Sequence, residues 1–558
     1  MAIESIGSKK NKFLIPFLLV IAGALMFLPF LGRTHLFDWD EINFAECARE
    51  MIMAKNYFLV TIDYKPFWEK PPLFIWMQAL SMKTLGIGEY AARLPNALCG
   101  IALLLILFRI GTMLKDRLFG LLWVLAYAGS LLPHLYFKSG IIDPWFNLFI
   151  FLGFYFFIRY QMLTKGLLPG KSNNLIILSA LFIALALMTK GPVAFLVFLL
   201  SAFIYWLIEK RRAIISLPKA LLYLLVLAVI GGTWFGIETL TGHWDTVKEF
   251  VIYQVRLFKT EDSGQGGPFY YHFIVLLIGC FPASIFAIRG MMAKTKDDAK
   301  LTETSRWMSI LFWVVLILFS IVKTKIIHYS SLCYYPLTYF AAIALYQLLS
   351  GEITWKKWMG WSLGVIGGAL GFALAVFPIA GMHIQSISAL VKDPFAVANM
   401  QAVVNWSYFD SIAGMCLLIG LISALIFIRR KNIRMGITFL FISALISTNI
   451  AIATLAPKIE LYSQNSALEF FESLKGKDVY VSTLGYKSYA QYFYSGMLPW
   501  KDIRCTDNNW LLTGDIDKPA YFSTKITSAE DQKKGVPDLK ELYRKNGFVF
   551  FERLPKPH

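Results

Sequence analysis

The apolar runs of this chain constrain its fold more than any other feature of the sequence. Runs of roughly 17 to 25 apolar residues recur along the chain, and each is long enough to cross a bilayer as an α-helix. With 57% hydrophobic residues among 558, a soluble protein could not bury so much apolar surface. We predict an α-helical polytopic membrane protein with about thirteen spans. By hydropathy these start at about residues 13, 94, 118, 144, 175, 192, 217, 272, 307, 332, 359, 408 and 435.

Basic residues indicate how the spans are oriented. The formal net charge of +18 could suggest nucleic-acid binding, but the Lys and Arg residues concentrate in alternate short loops, from Lys9, Lys10 and Lys12 onward, as the positive-inside rule requires. The first apolar run is longer than the core of a cleaved signal peptide, and no clear small-residue cleavage site follows it. We therefore predict an uncleaved first span, a cytoplasmic N-terminus and, because the span count is odd, a C-terminus on the outer face.

The composition divides the chain into two domains. Residues 1–456 hold the predicted spans and include a long first outer loop at residues 33–93. Residues 457–558 form a predicted small soluble α/β domain, with a helix near residues 467–474 and the β-rich runs DVYVST, PAYFST and GFVFFERL; the segment PDLKELYRKNG before the last run is expected to be helical. The six cysteines form no CxxC pair, so the sequence indicates neither a zinc site nor a disulfide framework.

The first outer loop concentrates acid in a basic protein. The stretch DWDEINFAE, which begins at Asp38, contains Asp40, Glu41 and Glu46. One interpretation is a solvated helix start, because acidic side chains near a helix N-terminus suit the helix dipole. The other is a site for ion binding or proton transfer at the membrane surface. We favour the second, because a Glu-Lys-Pro-Pro turn follows in the same loop.

Cations on the outer side indicate an anionic partner there. Lys70 in FWEKPPLFIWM either reaches toward the lipid headgroups or supplies a point charge for a phosphate. Lys190 in MTKGPVAF, and Lys323 and His328 in VKTKIIHYSS, also face outward against the positive-inside trend. The segment WDTVKEFVIYQVRLFK, which contains Arg256, has the pattern of an amphipathic surface helix. The glycine-rich loop after it either covers a site or is a plain connection.

A further acid, Asp143, opens the predicted fourth span just before Pro144. Asp is an ordinary helix N-cap, so capping and a role in a site both stay open. The sequence contains no GxxxxGK[ST], Rossmann, HExxH or GxSxG motif. Acids and cations thus meet on one face next to lipid, a pattern that fits an activated substrate carried on a lipid phosphate.

Six short motifs, taken in order, resemble those of one known family. DEINFAECAREM, at residues 40–51, looks like the D-E-x-R-Y-A-E-x-x-R-E-M signature of the bacterial protein-mannosyltransferase-like, C-type (GT-C) glycosyltransferases, which include the 4-amino-4-deoxy-L-arabinose transferases of lipid A. The match continues with FWEKPPL, SGIIDPWFNLF, ALMTKGPVA, GPFYYH and KTKIIHYSSLCYYPL, over most of residues 35–340. The resemblance implies a bacterial inner-membrane enzyme with a periplasmic C-terminal domain. Its reaction would be the inverting transfer of one sugar from a polyprenyl (undecaprenyl) phosphate donor to a periplasmic acceptor.

The resemblance also implies roles for particular residues. Asp40 matches the first-loop aspartate expected near the acceptor as base or orienting group, Asp143 matches the second acid, and Glu41 is a third catalytic candidate. Lys70 matches the lysine expected at the donor phosphate. The remaining candidates are the donor-binding cations Lys190, Arg256 and Lys323, the possible divalent-metal ligands Glu69 and His272, and the additional site residues Glu46 and His328. Asn43 and Phe44 depart from the family signature, at positions that usually hold Arg and Tyr.

Other functions stay open at this point. The acceptor is a lipid A-like lipid or a protein, and the second choice would make the protein a protein O-mannosyltransferase-type enzyme. A lipid or sugar transporter or flippase would need ionisable groups near the middle of the membrane and related halves, whereas the charges here cluster at span ends. A non-catalytic scaffold would leave the outward cations and paired acids unexplained.

Overall fold

The fold comes from a computed structural model. The structure describes residues 13–37, 39–259, 266–293, 298–500, 502–536 and 538–556, and in residues 257–259 only the backbone. Several residues that the sequence analysis singled out lie outside the described residues: the basic Lys9, Lys10 and Lys12, the acidic Asp38 and most of the glycine-rich loop after Lys259.

The N-terminal part places one apolar helix ahead of a long folded loop. Its elements are α1 (Leu14–Phe27), α2 (Asp40–Ala54), β1 (Thr61–Ile62), β2 (Lys65–Pro66) and α3 (Leu73–Leu85). The acid-rich stretch forms α2, and most of this helix is buried although its sequence is polar. Its charged side chains therefore need partners inside the protein, and this requirement shapes the site described below.

A large helical region follows. Its helices are α4 (Glu89–Leu114), α5 (Arg117–Ala128), α6 (Leu131–Leu135), α7 (Asp143–Thr164), α8 (Ser172–Lys190), α9 (Val193–Ile208), α10 (Leu217–Val226), α11 (Thr233–Leu240), α12 (Trp244–Lys259), α13 (Tyr271–Gly279), α14 (Ala283–Met291), α15 (Ala299–Ile321), α16 (Tyr334–Ser350), α17 (Lys357–Met382), α18 (Ile384–Ser388), α19 (Pro394–Asn399), α20 (Ile412–Arg429) and α21 (Ile433–Glu460). A 3₁₀ helix at Ile327–Cys333 leads directly into α16.

The helical membrane architecture is confirmed. Among the described residues, eight helices are long and apolar enough to cross a bilayer, and the number rises to eleven if each of three bent helix pairs counts as one span. Two shorter apolar helices, Leu14–Phe27 and Val193–Ile208, accompany them. One continuous apolar core joins side chains from most of these helices.

The junction of α8 and α9 brings the amphipathic helix α12 against the bundle. Gly191 ends α8 with φ +102°, a backbone conformation that side chains other than glycine rarely adopt. A Cβ at Gly191 would lie 2.7 Å from the ring of Phe250 on α12. The predicted amphipathic helix is present as α12, with Val247 and Phe250 buried against the bundle and Val251 and Val255 exposed.

The C-terminal part contains a four-stranded mixed sheet. Its elements are α22 (Asn465–Ser473), β3 (Tyr480–Leu484), α23 (Ala490–Ser495), α24 (Asn508–Thr513), β4 (Ala520–Lys525), α25 (Ala529–Lys534), β5 (Lys540–Lys545) and β6 (Phe548–Arg553). The strand order is β3-β4-β6-β5, with β3 parallel to β4 and the other neighbours antiparallel. The three predicted β-rich runs are confirmed as β3, β4 and β6.

The helix expected at PDLKELYRKNG was a wrong prediction. These residues include strand β5, which pairs with β6 through a hairpin. Asn546 and Gly547 form the turn with φ values of 44° and 82°, and an Asn-Gly pair with positive φ is a strong signal for a two-residue hairpin. Cross-strand pairing outweighed the helical propensity of the Lys, Glu and Leu residues.

The loop at residues 33–93 and the C-terminal part share one apolar core. Ile42 and Met51 of α2 belong to the same buried cluster as Leu468 and Phe471 of α22 and Phe550 of β6. Polar contacts follow the same path: the backbone N–H of Leu36 donates to the Tyr494 hydroxyl (2.7 Å), and Trp500 Nε1 donates to the carbonyl of Asp63 (2.9 Å). The C-terminal part is thus packed onto the loop that carries the acids.

Close helix packing yields a first test. A Cβ added to Gly290 on α14 would lie within 1.8 Å of the backbone oxygen of Phe340 on α16, and a helix backbone cannot move aside as a side chain can. We expect Gly290→Ala to lower the free energy of unfolding by about 1–3 kcal/mol, measured by thermal unfolding of the detergent-solubilised protein. Gly368→Ala is the control, because nothing lies within 4 Å of that Cβ. Equal stability of the two variants would contradict this packing.

Candidate active site

Glu41 and Arg93 form a buried ion pair beneath the site. Arg93 Nε and Nη2 donate to the two Glu41 oxygens at 2.7 and 2.8 Å. The same carboxylate accepts the backbone N–H groups of Phe37 and Gly140, at 2.8 and 2.5 Å. Both side chains are nearly inaccessible to solvent. Glu41 therefore ties α2 to α4 and to the loop before α7, and its oxygens are already occupied.

Asp40 points in another direction, toward His328. The Asp40 Oδ2 atom lies 3.4 Å from His328 Nε2, and the same nitrogen lies 3.7 Å from Asp143 Oδ2. The imidazole is therefore placed between two carboxylates from α2 and α7. Among the described residues, His328 Nε2 and Asp143 Oδ2 are buried atoms with no hydrogen-bond partner. Such unsatisfied groups are costly unless something else binds them, so they mark a place prepared for a ligand.

Asp143 is paired with a lysine rather than capping its helix. Ile142 is the N-cap residue of α7, and Asp143 is the first residue of the helix itself. Instead, Lys190 Nζ at the C-terminal end of α8 donates to Asp143 Oδ1 at 2.5 Å. The capping interpretation of Asp143 is therefore wrong. The ion pair also neutralises Lys190, so its charge is already balanced inside the protein.

Lys70 is a cation held by an aromatic ring. Its ammonium lies 5.1 Å from the ring centroid of Tyr253 on α12, within the range of a cation–π interaction. No carboxylate lies within ion-pair distance of Lys70 in the described part of the chain. Burial lowers the pKa of Lys70 from its ordinary value, although Glu69 and Asp40 act to raise it. Lys70 is thus available for an external anion, and such an anion would raise its pKa again.

The same charges act on Asp40. Burial acts to raise the pKa of the Asp40 carboxyl, but the neighbouring His328, together with Lys70 and Lys190, lowers it to about 2. Asp40 is therefore a carboxylate at any physiological pH. A group with so low a pKa is a weak base, so it is better suited to orienting a cation or a dipole than to removing a proton.

Two cavities lie at these residues and their neighbours in sequence. The inner cavity, of about 70 Å³, has Lys70, Asp143, Asn147, Lys190 and Gln254 at its polar end. The rest of its wall is apolar and aromatic and comes from α7, α9, α15 and the 3₁₀ helix: Phe146, Ile150, Val193, Val197, Phe319, Val322, Tyr329 and Leu332. The outer cavity, of about 550 Å³, is lined by Trp39, Glu69, Arg256, Gly485, Tyr486, Lys487 and Lys525.

Other predicted site residues lie outside this group. Glu46 is a buried residue of α2 and accepts two hydrogen bonds from Arg49, at 2.7 and 2.6 Å. Lys323 is exposed and lines neither cavity. Arg256 lines the outer cavity rather than the inner one. The structure thus brings together Asp40, Asp143, Lys70, Lys190 and His328, and it places Glu41 and Glu46 in supporting ion pairs.

The two candidate metal ligands do not form a metal site in the structure. Glu69 accepts from the Tyr253 hydroxyl at 3.3 Å. His272 Nδ1 lies 3.1 Å from the Ser330 hydroxyl, behind the 3₁₀ helix that carries His328. Within the described ranges, no three His, Cys, Asp or Glu side chains are grouped as ion ligands would be.

Some residues of the site carried no signal in the sequence analysis. Tyr253 faces Lys70, Glu69 and Arg256, but in the sequence it is one aromatic residue of an amphipathic helix. Lys487 and Lys525 belong to the C-terminal part, where basic residues are common. Arg93 was detectable in principle, as a charged residue in a span-forming segment.

Comparisons with known proteins show which class of protein the sequence and the fold resemble. A sequence-family profile described as dolichyl-phosphate-mannose-protein mannosyltransferase matches residues 69–234. The crystal structure of ArnT from Cupriavidus metallidurans bound to undecaprenyl phosphate superimposes with a TM-score of 0.75 at 16% identity, over 98% of this chain and 100% of that chain. The chain is therefore a multi-pass membrane protein with the ArnT fold.

Sequence similarity adds particular relatives. The undecaprenyl phosphate-alpha-4-amino-4-deoxy-L-arabinose arabinosyl transferase of Pectobacterium atrosepticum is 24% identical over 428 residues, which cover 72% of this chain and 74% of that protein. The transferase of the same description from Pectobacterium carotovorum is 27% identical over 331 residues, 57% of each chain and so less than two thirds of that relative. These findings confirm the resemblance to the protein-mannosyltransferase-like glycosyltransferases that the motifs indicated.

The Glu41–Arg93 pair gives a test that separates support from catalysis. Removing one partner of a buried ion pair leaves the other buried and unpaired, so we expect Glu41→Ala to lower the free energy of unfolding by about 3–5 kcal/mol. Thermal unfolding in detergent would measure the loss, and Glu41→Ala/Arg93→Leu should recover part of it. A Glu41→Ala protein as stable as the wild type would contradict the supporting role of this ion pair.

A buried acid beside Glu46 gives a pH test. Burial and the charge of Glu46 raise the pKa of Glu50 to about 9, while Thr61 and the backbone N–H of Tyr64 donate to its Oε2. Between the unfolded pKa near 4.5 and the folded value, only the unfolded state releases the proton. Stability should therefore fall as pH rises from 5 to 8, by up to about 1.4 kcal/mol per pH unit.

Glu50→Gln should flatten this dependence, because the amide cannot ionise. The melting temperature of each protein, measured at several values between pH 5 and pH 8, provides the comparison. The exposed Glu352→Gln is the control and should keep the wild-type slope. An unchanged slope in Glu50→Gln would show that Glu50 is already ionised in the folded protein.

Proposed function

We propose that this protein is an inverting glycosyltransferase, which moves a single sugar from a polyprenyl phosphate, such as undecaprenyl phosphate, to an acceptor at the outer face of the membrane. The observation that carries the proposal is that Lys70 and Asp143 line the polar end of an apolar-lined cavity, with His328 lying between Asp143 and Asp40. The names of the similar transferases point to the same donor and to 4-amino-4-deoxy-L-arabinose as the sugar.

The inner cavity suits the donor. Its apolar wall between α7, α9 and α15 can take part of a polyprenyl chain, which then remains next to lipid. Lys70 at the polar end meets the phosphate, and Lys190 remains paired with Asp143. As the bond from the anomeric carbon to the phosphate oxygen breaks, the electron pair leaves with the polyprenyl phosphate. Lys70 stabilises the negative charge that develops there.

The acceptor oxygen attacks the anomeric carbon from the opposite face. A hydroxyl acceptor would have to lose its proton to a base, whereas a phosphate oxygen needs none. Because the pKa of Asp40 is lowered to about 2, Asp40 is a poor base for a hydroxyl. The site therefore favours a phosphate-bearing lipid, such as lipid A, over a protein Ser or Thr as acceptor. Asp40 and Asp143 then orient His328 and the sugar.

We also propose the finer organisation of the chain. Eight long helices, three bent pairs and two shorter apolar helices together match thirteen spans, which would leave the N-terminus in the cytoplasm and the C-terminus in the periplasm. Residues 1–456 would form the membrane domain in the bacterial inner membrane. Residues 457–558 would form a periplasmic α/β domain, which the four-stranded sheet supports.

The test is sugar transfer from synthetic polyprenyl-phosphate sugars. Purified wild type and Asp40→Asn would be incubated with donor and membrane extract, and total lipid and protein would be analysed by mass spectrometry. We expect new mass on a phosphorylated lipid with the wild type, reduced at least about 100-fold in Asp40→Asn, which keeps the shape but loses the charge.

The exposed Asp515→Asn is the matched control and should transfer at the wild-type rate. New mass on protein would assign the acceptor to proteins instead. Unreduced transfer by Asp40→Asn would remove Asp40 from the mechanism. A wild type that binds the donor and transfers to neither lipid nor protein would contradict the proposed reaction.

A further inference from the structure

The outer cavity collects basic side chains from distant parts of the sequence. Arg256 lies on α12, Lys487 in the loop after β3, and Lys525 at the end of β4. Among the described residues that line it, Glu69 is the single acid, and the Tyr253 hydroxyl donates to it. Basic side chains thus outnumber acidic ones in this part of the lining, an arrangement that attracts anions.

The two lysines of the C-terminal part are held by rings rather than by acids. The Lys487 ammonium lies 4.6 Å from the Trp39 ring centroid and 5.2 Å from that of Tyr489. Lys525 lies 4.9 Å from the ring of Phe395 and 5.8 Å from that of Tyr486. Across the described ranges neither lysine has an ion-pair partner. Other lysines of the same part do, with Lys518 on Asp478 and Lys545 on Glu469.

Aromatic contacts fix the position of an ammonium group without neutralising it. A cation–π interaction leaves the N–H donors available, whereas a carboxylate partner would occupy them. Lys487 and Lys525 are therefore positioned and still charged toward the cavity. This arrangement suits a phosphate, because a phosphate group accepts hydrogen bonds from several donors at once.

Two residues that line the outer cavity are sequence neighbours of the proposed reacting groups. Trp39 directly precedes Asp40, and Glu69 directly precedes Lys70. Tyr253 stands between the two cavities, with its ring near both Lys70 and Arg256. A ligand in the outer cavity would thus be next to the donor phosphate bound at Lys70. The volume of about 550 Å³ is in the range of about 300–1,000 Å³ that holds whole small ligands, so it fits a sugar phosphate.

We propose that Lys487 and Lys525, together with Arg256, bind a phosphate of the acceptor's headgroup and select a phosphorylated glycolipid as acceptor. This inference rests on the proposed function, since it assigns the acceptor side of the same site. It gives the C-terminal part a direct role in substrate selection. It also explains how a negatively charged acceptor can approach the Asp40 carboxylate, since three cations face it from the other side.

The test uses full-length protein in nanodiscs and a defined probe, the bisphosphorylated glucosamine disaccharide headgroup of lipid A without acyl chains. We expect Lys487→Gln/Lys525→Gln to weaken binding of this probe, measured by calorimetry, at least about tenfold. The double variant Lys487→Arg/Lys525→Arg should retain most of the affinity. The matched control is Lys533→Gln/Lys540→Gln, which removes the same amount of charge from two exposed lysines elsewhere in the C-terminal part. This variant should bind the probe as tightly as the wild type does.

Transfer kinetics separate this inference from the proposed function. In the Gln variant the KM for the phosphorylated acceptor should rise about tenfold, with the KM for the donor and the kcat unchanged. Normal transfer with an unchanged acceptor KM would overturn the lysine site and leave the proposed reaction intact. The wild type could instead fail to transfer any sugar while still binding the probe more tightly than the Gln variant does. That result would refute the proposed reaction and leave the lysine site intact.

Two further outcomes would overturn the assignment. The first is wild-type protein that binds the dephosphorylated disaccharide as tightly as the bisphosphorylated one. The second is a lysine effect that appears only in nanodiscs containing phosphatidylglycerol and not in those of phosphatidylcholine, which would assign the cations to membrane phospholipid. Circular dichroism and size-exclusion profiles of each variant would confirm that it folds.

Discussion

The buried ion pair between Glu41 and Arg93 determines how the candidate site is built. Taking two charges out of water costs several kcal/mol, and their attraction compensates only when further hydrogen bonds satisfy both groups. That condition is met here: Arg93 also donates to the carbonyls of Leu31, Thr34 and His35, and the Glu41 carboxylate also accepts two backbone N–H groups. The pair therefore fixes the segment after α1, the start of α2, α4 and the loop before α7 relative to one another.

The direction of Asp40 follows from that pair. Consecutive residues of an α-helix point about 100° apart, so a Glu41 held on the core side turns Asp40 toward the 3₁₀ helix and His328. The loop that Glu41 holds through Gly140 leads into Asp143. Asp40 and Asp143, from different helices, thus both lie near the His328 imidazole. The Glu41 carboxylate makes this possible, because its contacts with Arg93 and Gly140 hold the two segments in place. This division explains why so basic a chain gathers acids in one short stretch.

Much of the architecture could be predicted from the sequence, and the failures have physical reasons. Long apolar runs can satisfy their backbone only as helices in lipid, so the membrane class followed directly. The site motifs were recognised, but the roles of Glu41 and Glu46 depend on their ion-pair partners. Arg93, the partner of Glu41, is distant in sequence. Arg49, the partner of Glu46, is near in sequence but is only one of several charged neighbours that Glu46 could pair with. Strand β5 was missed because its pairing with β6 is a tertiary preference that local propensity does not contain. Lys487 and Lys525 could not be assigned to a cavity at all, since only the fold brings them to Trp39 and Phe395.

The shared apolar core holds Lys487 and Lys525 in place next to the candidate site. Side chains of α2 and of the C-terminal helices and strands are buried in one cluster, so the C-terminal part cannot move independently without exposing that core to water. The loop after β3 and the end of β4 are thereby held at the cavity that Trp39 lines, and Trp39 directly precedes Asp40. In the proposed reaction, the donor phosphate would lie at Lys70 and the acceptor phosphate at the lysines of the C-terminal part. Lys70 would then supply positive charge where the leaving phosphate becomes more negative, and the outer cavity would supply it where the acceptor arrives.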